Sequence, residues 1–282
     1  MSVSAPGLAS DLDVLEHALQ ALQAQRQVAL ATIVGLAGPF SRPLGAQLSI
    51  LESGAFVGSI SGGCLETALA EEAKAALEAS ENRMLRYGVG SPFIDVRLPC
   101  GGSLDIFVDA HPDQAALEEA VRFGRSRRTF FLDVDTRSSG SAITFGPGEN
   151  GDAAGGVYRR VYRPVTRIVL AGRGWEIVAL SQLASEVGYE VCVLSQEAAT
   201  LEYCRPFADQ LIPLRTPAQS PEFRLDEYSA FVCLFHEHEW EIALLERVLA
   251  SDAFYVGALG SRETSAKRIN ALRERGVGAD RI

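Results

Sequence analysis

The sequence predicts an α/β protein in two parts: a mixed α+β domain over residues 1–163, followed by a doubly wound parallel sheet over residues 164–282. In the first part, strand-like and helical segments follow one another irregularly. In the second part, short apolar strands alternate regularly with helical segments, which is typical of a parallel sheet with helices on both faces. The glycine-rich segment GPGENGDAAGG (146–156) separates the two patterns.

The first part begins with a helix predicted over residues 11–26, because leucines recur there at helical spacing, and Asp11 is its expected N-cap. The segment AGPFSRPLGA (37–46) is rich in Gly and Pro and is expected to form a shaped surface loop. The other predicted helices cover residues 66–80 and 112–123, and the predicted strands cover 28–36, 47–54, 55–60, 82–87, 103–109, 129–136 and 141–145.

The second part contains five short apolar segments with strand character, separated by helical segments. This alternation predicts a Rossmann-like fold with right-handed crossovers, whose ligands bind at the carboxyl ends of the strands. The five strands are expected at residues 167–172, 189–195, 210–214, 229–235 and 253–260.

Composition excludes several classes of protein. With 282 residues, 47% of them hydrophobic, the chain is long enough for about two globular domains. A net charge of −10 argues against nucleic acid as a partner, because such binding depends on clustered Lys and Arg. The N-terminus carries no secretory pattern and no segment approaches the roughly 20 apolar residues of a membrane span. We therefore expect a cytoplasmic protein without membrane association.

The segment SISGGCLE (59–66) places Gly62, Gly63 and Cys64 directly before the predicted helix 66–80. Unpaired N–H groups and the macrodipole at a helix N-terminus favour a thiolate, which is a nucleophile or metal ligand. The alternative is that Cys64 is a small buried residue and that the glycines only turn the chain, since free cysteines are often buried.

A second cysteine has similar neighbours: Cys100 stands before Gly101 and Gly102 in PCGG, ahead of the strand at 103–109. Two glycine-flanked thiols in one domain favour a functional site over two coincidental core residues. The five cysteines form no close pairs, so free thiols are expected. Cys192 and Cys233 lie inside apolar strands and are expected in the core. Cys204 has no neighbour that would activate it.

Four segments of the chain, taken together, resemble one family. They are TIVGLAGPFSRPLGAQL (32–48), GSISGGCLETALAEEA (58–73), LPCGGSLDIFV (98–108) and FYVGALGSRETSAKRINALRERG (254–276). In this order and at these spacings they are similar to the XdhC/CoxI family, the accessory proteins that mature xanthine dehydrogenase and related molybdenum hydroxylases. The resemblance extends over nearly the whole chain.

The resemblance implies a cytoplasmic, dimeric chaperone rather than an enzyme. Such a protein binds the molybdenum cofactor (molybdopterin), protects it while a cysteine desulfurase supplies a terminal sulfur, and delivers it to the apo molybdenum hydroxylase. Cys64 and Cys100 are then candidate molybdenum ligands or sulfur relays, because the metal needs soft ligands. Arg42 is a candidate for holding the phosphate or an oxo ligand; the alternative is a solvated surface arginine.

Gly172, Arg173 and Gly174 follow the first strand of the second part, where a dinucleotide fingerprint belongs. The third glycine position is Ile177, whose branched side chain should push the helix away from the strand. The next strand ends in VLSQ (193–196) without the expected acid at its end. Binding of NAD(P) is therefore doubtful. The alternative functions are an NAD(P)-dependent oxidoreductase and a cofactor-free adaptor between desulfurase and hydroxylase.

A second turn, GALGSR, ends in Gly260, Ser261 and Arg262 and precedes a helix, which makes it a candidate phosphate site. The alternative is an ordinary turn in which Ser261 is the N-cap. The segment HEHE (236–239) is expected to be a loop beside the same sheet edge, without an identifiable third metal ligand. The resemblance also implies further chain after GVGADRI (276–282), so the C-terminal pocket is expected to be incomplete.

Overall fold

The computed structural model describes residues 10–40, 42–61, 63, 65–91, 102–148, 155–217, 223–235 and 238–282. The chain forms two compact units, Met1–Pro164 and Val165–Ile282. Among the described residues, no helix combines the length and the apolar character that crossing a bilayer requires.

The first unit is a mixed α+β structure, as predicted. Its elements are α1 (Asp11–Gln23), β1 (Val28–Ala37), β2 (Gln47–Leu51), β3 (Phe56–Gly58), α2 (Glu66–Ala79), β4 (Arg83–Gly88), β5 (Ser103–Asp109), α3 (Gln114–Arg125), β6 (Phe130–Asp135), β7 (Ile143–Pro147) and β8 (Val157–Tyr162). The first sheet has the order β3-β2-β1-β5-β4 and the second sheet the order β7-β6-β8. All neighbouring strands in both sheets are antiparallel.

The apolar run of β1 is explained by burial of both faces of the first sheet. Successive side chains of a strand point to opposite faces. Val28 and Leu30 belong to one core cluster with residues of α1, α3 and the second sheet. Ala29 and Ile33 belong to another cluster with residues of α2. Because neither face is exposed to water, β1 lacks the polar alternation of a surface strand.

Two expectations for α1 are corrected. Its N-cap is Ser10 rather than Asp11: the Ser10 hydroxyl accepts from the Asp13 N–H (3.2 Å) and the Asp13 carboxylate accepts from the Ser10 N–H (2.7 Å). This reciprocal pair satisfies two donors at the helix start. The helix ends at Gln23, because Gln25 adopts a left-handed conformation (φ 56°).

The second unit is Rossmann-like, as predicted. Its elements are β9 (Arg167–Gly172), α4 (Trp175–Glu186), β10 (Glu190–Ser195), α5 (Ala198–Cys204), β11 (Gln210–Pro213), β12 (Ser229–Leu234), α6 (His238–Leu249), β13 (Tyr255–Ala258), α7 (Arg262–Glu274) and a 3₁₀ turn (Ala279–Arg281). The strand order is β11-β10-β9-β12-β13 with every pair parallel.

The described cysteines lie in the cores of the second unit. Cys192, Cys204 and Cys233 are free and buried, which confirms the expectation that Cys192 and Cys233 are core residues. Burial raises the pKa of the Cys192 and Cys233 thiols to about 12 and also raises that of Cys204. These three thiols are therefore uncharged at neutral pH.

Candidate functional site

The motif segments of the first unit connect to one end of the strands of the first sheet. We call this end the edge of the sheet, in contrast to an outer strand. Because the strands are antiparallel, β1 and β3 end at the edge where β2 begins. β5 begins at this edge too, since Ser103 pairs with Ala37 at the end of β1. The Arg42 loop (38–46), the thiol loop (59–65) and Gly102, the last residue of PCGG, therefore all lie at this edge.

Gly102 allows two of these segments to pack closely. A Cβ atom at this position would overlap the Ala37 carbonyl oxygen and would lie 2.8 Å from the Phe40 ring. Gly38, at φ +92°, lies on the other side of the contact, and its Cβ would be 3.1 Å from the Gly102 Cα. The glycine brings the chain close to the Arg42 loop. Cys100 and Gly101 lie outside the described residues.

Glu66, the first residue of α2, binds the thiol loop through both carboxylate oxygens. Its Oε1 accepts from the Ser59 hydroxyl (3.2 Å) and from the N–H groups of Ile60 (3.0 Å) and Ser61 (2.8 Å). The side chain is 4% exposed, so these bonds are shielded from competing water. Sequence reasoning missed Glu66, although an acid at a helix start after two serines and two glycines was a visible signal.

The second oxygen of Glu66 holds the far end of the thiol loop. Its Oε2 accepts from the Ser61 hydroxyl (2.5 Å) and from the N–H groups of Gly63 (2.9 Å) and Leu65 (3.2 Å). The Ser61 hydroxyl oxygen also accepts from the Leu65 N–H (2.7 Å). One buried carboxylate thus fixes the loop on both sides of Cys64.

The pKa of Glu66 reflects these contacts. Burial raises the pKa of the carboxyl, but the hydrogen bonds from the Ser61 hydroxyl and from the Ser61 and Ile60 N–H groups outweigh it and lower the pKa to about 2. Glu66 is therefore charged at neutral pH. The Gly63 and Leu65 N–H groups donate to Glu66, so they do not serve a Cys64 thiolate in the way that the sequence suggested. Gly62 and Cys64 lie outside the described residues.

Arg42 lines a cavity of about 380 Å³ in the first unit. We call it the arginine cavity, because three of its lining side chains are arginines. The lining residues are Asp11, Val14, Arg42, Pro43, Leu44, Ala46, Gln47, Gly58, Ser59, Tyr158, Arg160, Val161 and Arg163. The cavity reaches the thiol loop directly, because Ser59 lines it and also donates to Glu66.

Strand β8 builds the opposite wall of the arginine cavity. Arg160 is 8% exposed; it donates to the Gly45 carbonyl, pairs with the Asp11 carboxylate at 2.6 Å and lies 4.6 Å from the centre of the Tyr162 ring. Gly45 has φ +86°, and a Cβ there would lie 2.5 Å from the Tyr158 hydroxyl oxygen. The Arg42 loop is therefore held against β8 by contacts that only glycine permits.

A series of buried side-chain hydrogen bonds supports this wall. The Tyr162 hydroxyl donates to the Gln47 Oε1, and the Gln47 Nε2 donates to the Thr32 hydroxyl (2.9 Å). Burial raises the pKa of Tyr162, so its hydroxyl remains a donor at neutral pH. These hydrogen bonds link β8 to β2 and β1. Sequence reasoning missed the residues that β8 contributes, because no strand was predicted at 157–162.

In the second unit, the fingerprint turn (172–174) is held by a hydrogen bond to another residue of the same unit. The Gly174 N–H donates to the Thr200 hydroxyl (2.9 Å), which itself donates to the Glu197 carboxylate. A Cβ at Gly172 would lie 2.8 Å from the Leu234 carbonyl, so the glycine permits close strand packing. The turn therefore offers one N–H fewer to a pyrophosphate than a dinucleotide fingerprint does. Glu197 lies two residues after β10, and its carboxylate is used within the unit to hold Thr200.

Ile177 and Arg173 complete this turn. Ile177 stands where the fingerprint has its third glycine, and its side chain is fully buried in the core formed with Leu170 and Val193. The branched side chain is thus absorbed by the core between α4 and the sheet. Arg173 is half-buried.

The second turn of this unit follows β13. The Ser261 hydroxyl accepts from the Thr264 N–H (3.1 Å), so Ser261 is the N-cap of α7. A Cβ at Gly260 would lie 2.8 Å from the Thr264 Cγ2 atom. From beneath, the buried Arg268 pairs with Glu241 (2.9 Å) and donates to the Leu259 carbonyl (2.7 Å). Ser261 and Arg262 are both exposed, so they are accessible to a ligand.

No group of three or more His, Cys, Asp or Glu side chains is arranged to hold a metal within the part of the chain that the structure describes. The candidate ligands Cys64 and Cys100 lie outside that part. So do His236 and Glu237 of the HEHE segment, whose last two residues begin α6.

Comparisons with known proteins agree with both units. Residues 21–88 match the model of the XdhC and CoxI family, and residues 168–282 match that of the XdhC Rossmann domain. Over 268 residues the chain is 30% identical to the molybdenum cofactor insertion chaperone PaoD of Escherichia coli K12, covering 93% of this chain and 76% of PaoD. It is 23% identical to a probable xanthine dehydrogenase component of Bacillus subtilis 168, covering 88% of this chain and 84% of that protein.

A solved structure supports the fold. The crystal structure of a xanthine dehydrogenase from Bacillus halodurans superposes with a TM-score of 0.75 at 21% identity, covering 93% of this chain and 85% of that one. At this identity the match shows the fold alone. The family is shown by the two family models and by the identity to PaoD over most of both chains. The chain therefore belongs to the XdhC and CoxI family.

Proposed function

We propose that this chain is a chaperone that holds the molybdenum cofactor for sulfuration and inserts it into a xanthine dehydrogenase-type molybdenum hydroxylase. The observation that carries the proposal is the convergence of the Arg42 loop, the thiol loop and Gly102, the last residue of PCGG, at one end of the first sheet beside the arginine cavity. The 30% identity to PaoD supports the same function.

The first-unit motifs match the chemistry of this cargo. The cofactor presents molybdenum and an anionic phosphate, so a carrier needs soft ligands and cationic donors. We assign the soft role, as molybdenum ligands or sulfur relays, to Cys64 and Cys100, and the phosphate or oxo contact to Arg42. Gly102 permits the close approach to the Arg42 loop, and we assign Gly62, Gly63 and Gly101 the role of letting the backbone approach the cofactor closely. A soft metal favours the deprotonated thiol by itself, so the helix N-terminus is not needed to activate Cys64.

Glu66 contributes order rather than chemistry. Its carboxylate holds the thiol loop in one conformation before cargo arrives, which lowers the entropic cost of binding.

Two turns of the second unit remain predicted anion sites. One is formed by Gly172, Arg173 and Gly174, and the other by Gly260, Ser261 and Arg262. The proposed partners are a cysteine desulfurase, which supplies the sulfur, the apo molybdenum hydroxylase, which receives the cofactor, and a second copy of the chain in a homodimer.

The proposal is tested by purifying the protein anaerobically from a host that makes the cofactor. We expect molybdenum and pterin to co-purify with the protein in equal molar amounts, with the pterin measured by its fluorescence after oxidation. We also expect the loaded protein to activate an apo molybdenum hydroxylase. Absence of both molybdenum and pterin would contradict the proposal. Co-purification of the desulfurase and the hydroxylase with this chain from a cofactor-null host would instead support the adaptor alternative.

A further inference from the structure

We propose that the arginine cavity is the subsite for a phosphate monoester or diphosphate group, with Arg160 and Arg163 acting beside Arg42. That this phosphate belongs to the molybdenum cofactor rests on the proposed function. Binding of a phosphate group by the cavity does not rest on it.

The first support is charge. The cavity lining contains three guanidinium groups, from Arg42, Arg160 and Arg163, and one carboxylate, from Asp11. The chain as a whole carries a net charge of −10, so this positive concavity differs in sign from the rest of the molecule. A concave wall of one sign concentrates the field and attracts ligands of the opposite sign. Guanidinium groups match phosphate with paired N–H donors.

The second support is the way in which Arg160 is held. A buried guanidinium is costly unless its donors are satisfied. The Gly45 carbonyl and the Tyr162 ring hold one side of Arg160, while its Nη2 atom contacts Asp11 at 2.6 Å. The Asp11 side chain is 67% exposed, so this carboxylate is well solvated. A dianionic phosphate competes with it for Arg160 on favourable terms. Asp11 thus acts as a stand-in anion that a ligand displaces.

The third support is size and position. A volume of about 380 Å³ lies at the lower end of the range for small-molecule sites, roughly 300 to 1,000 Å³. The Tyr158 hydroxyl group adds a donor to the lining. Ser59 is also the first residue of the thiol loop, so a phosphate in the cavity lies next to the loop that carries Cys64. One cargo molecule can therefore use both features.

The test uses the full-length protein from a cofactor-null host, titrated with inorganic pyrophosphate and phosphate by calorimetry at low ionic strength. We expect measurable binding of pyrophosphate, weakened about tenfold by Arg42→Ala or Arg163→Ala, because each removes a charge-assisted contact. Asp11→Asn should tighten binding several-fold, since it removes the competing carboxylate. Arg137→Ala, at an exposed site outside the cavity, is the matched control and should change nothing.

Equal affinities in wild type, Arg42→Ala and Arg163→Ala would overturn the proposal, as would an undetectable pyrophosphate signal. Circular dichroism verifies that each variant is folded, and Arg160→Lys serves as a conservative change at the buried position. The two proposals fail separately. Arginine-dependent pyrophosphate binding in a protein that never carries molybdenum leaves the cavity assignment standing and removes the cofactor function. Molybdenum retention without arginine-dependent binding does the reverse.

Discussion

The Glu66 carboxylate is surrounded by N–H and O–H donors from a single loop, including those of Ile60, Ser61 and Gly63. Such charge-assisted bonds are roughly twice as strong as neutral ones, and a buried carboxylate without them would be costly. The residue therefore determines both the stability of the thiol loop and its shape. At this scale the cysteine and glycine pattern pointed to the loop, but not to the acid that holds it.

Replacing Glu66 by Gln tests this role. In Glu66→Gln, one of the two carboxylate oxygens is replaced by an NH2 group, which cannot accept the hydrogen bonds that the loop donates. We therefore expect a loss of about 3 kcal/mol in the free energy of unfolding. The measurement is urea denaturation at pH 7. Glu71→Gln, on the exposed face of the same helix, is the control and should stay within about 0.5 kcal/mol of wild type. Equal losses in the two variants would rule out the special role of Glu66.

The pH dependence of stability should carry the same signature. The pKa of Glu66 falls from an ordinary 4.5 to about 2 on folding, so its contribution is complete above about pH 4.5 and is lost as the pH falls through 2. The shift corresponds to about 3 kcal/mol at neutral pH. Urea midpoints measured from pH 6 to pH 2.5 should therefore decline more steeply in wild type than in Glu66→Gln. Parallel declines would show that other carboxyls dominate.

At the scale of elements, antiparallel strand pairing decides where the motifs meet. Periodicity predicted most of the strands, because buried strands and amphipathic helices leave clear patterns. The Arg42 loop was indicated instead by its Gly and Pro content, and the thiol loop by its glycine-flanked cysteine. It failed at β8, whose sequence VYRRVY (157–162) shows no simple alternation. The burial of Arg160 depends on Asp11, Gly45 and Tyr162, which are brought together only by the tertiary fold. The sequence therefore indicated one side of the cavity, and only the folded chain revealed the other.

The contact between the Arg42 loop and β8 is testable at Gly45. In Gly45→Ala, the methyl group would lie 2.5 Å from the Tyr158 hydroxyl oxygen in a backbone conformation at φ +86°. We expect a destabilisation of about 1 to 3 kcal/mol by thermal unfolding, together with weaker pyrophosphate binding. Gly140→Ala has no atom within 4 Å of the new Cβ and should be nearly neutral. A neutral Gly45→Ala would show that the loop is not held against β8.

At the scale of the whole molecule, two units of different architecture share one chain. The regular alternation in the second half predicted its parallel sheet correctly. The doubt about NAD(P) binding that the incomplete fingerprint raised stays a prediction. The internal use of the Gly174 N–H by Thr200 could not be predicted, because these residues lie 26 positions apart in sequence.

The structure of the fingerprint turn predicts weak binding of nicotinamide cofactors. With the Gly174 N–H donating to Thr200 and Ile177 at the third glycine position, NADH and NADPH should show no micromolar binding in calorimetric titrations. Micromolar affinity accompanied by turnover of a substrate would favour the oxidoreductase alternative.

If the end of the first sheet that carries the Arg42 loop, the thiol loop and Gly102 holds the molybdenum cofactor, as we propose, removing the Cys64 thiol should release that cofactor. Molybdenum and pterin per chain are measured after anaerobic purification of wild type, Cys64→Ala and Cys192→Ala from the same host. Cys192 is a buried core thiol of the second unit, which makes it the matched control. We expect Cys64→Ala to lose most of its cofactor and Cys192→Ala to retain the wild-type amount. Equal retention in the two variants would contradict this proposal.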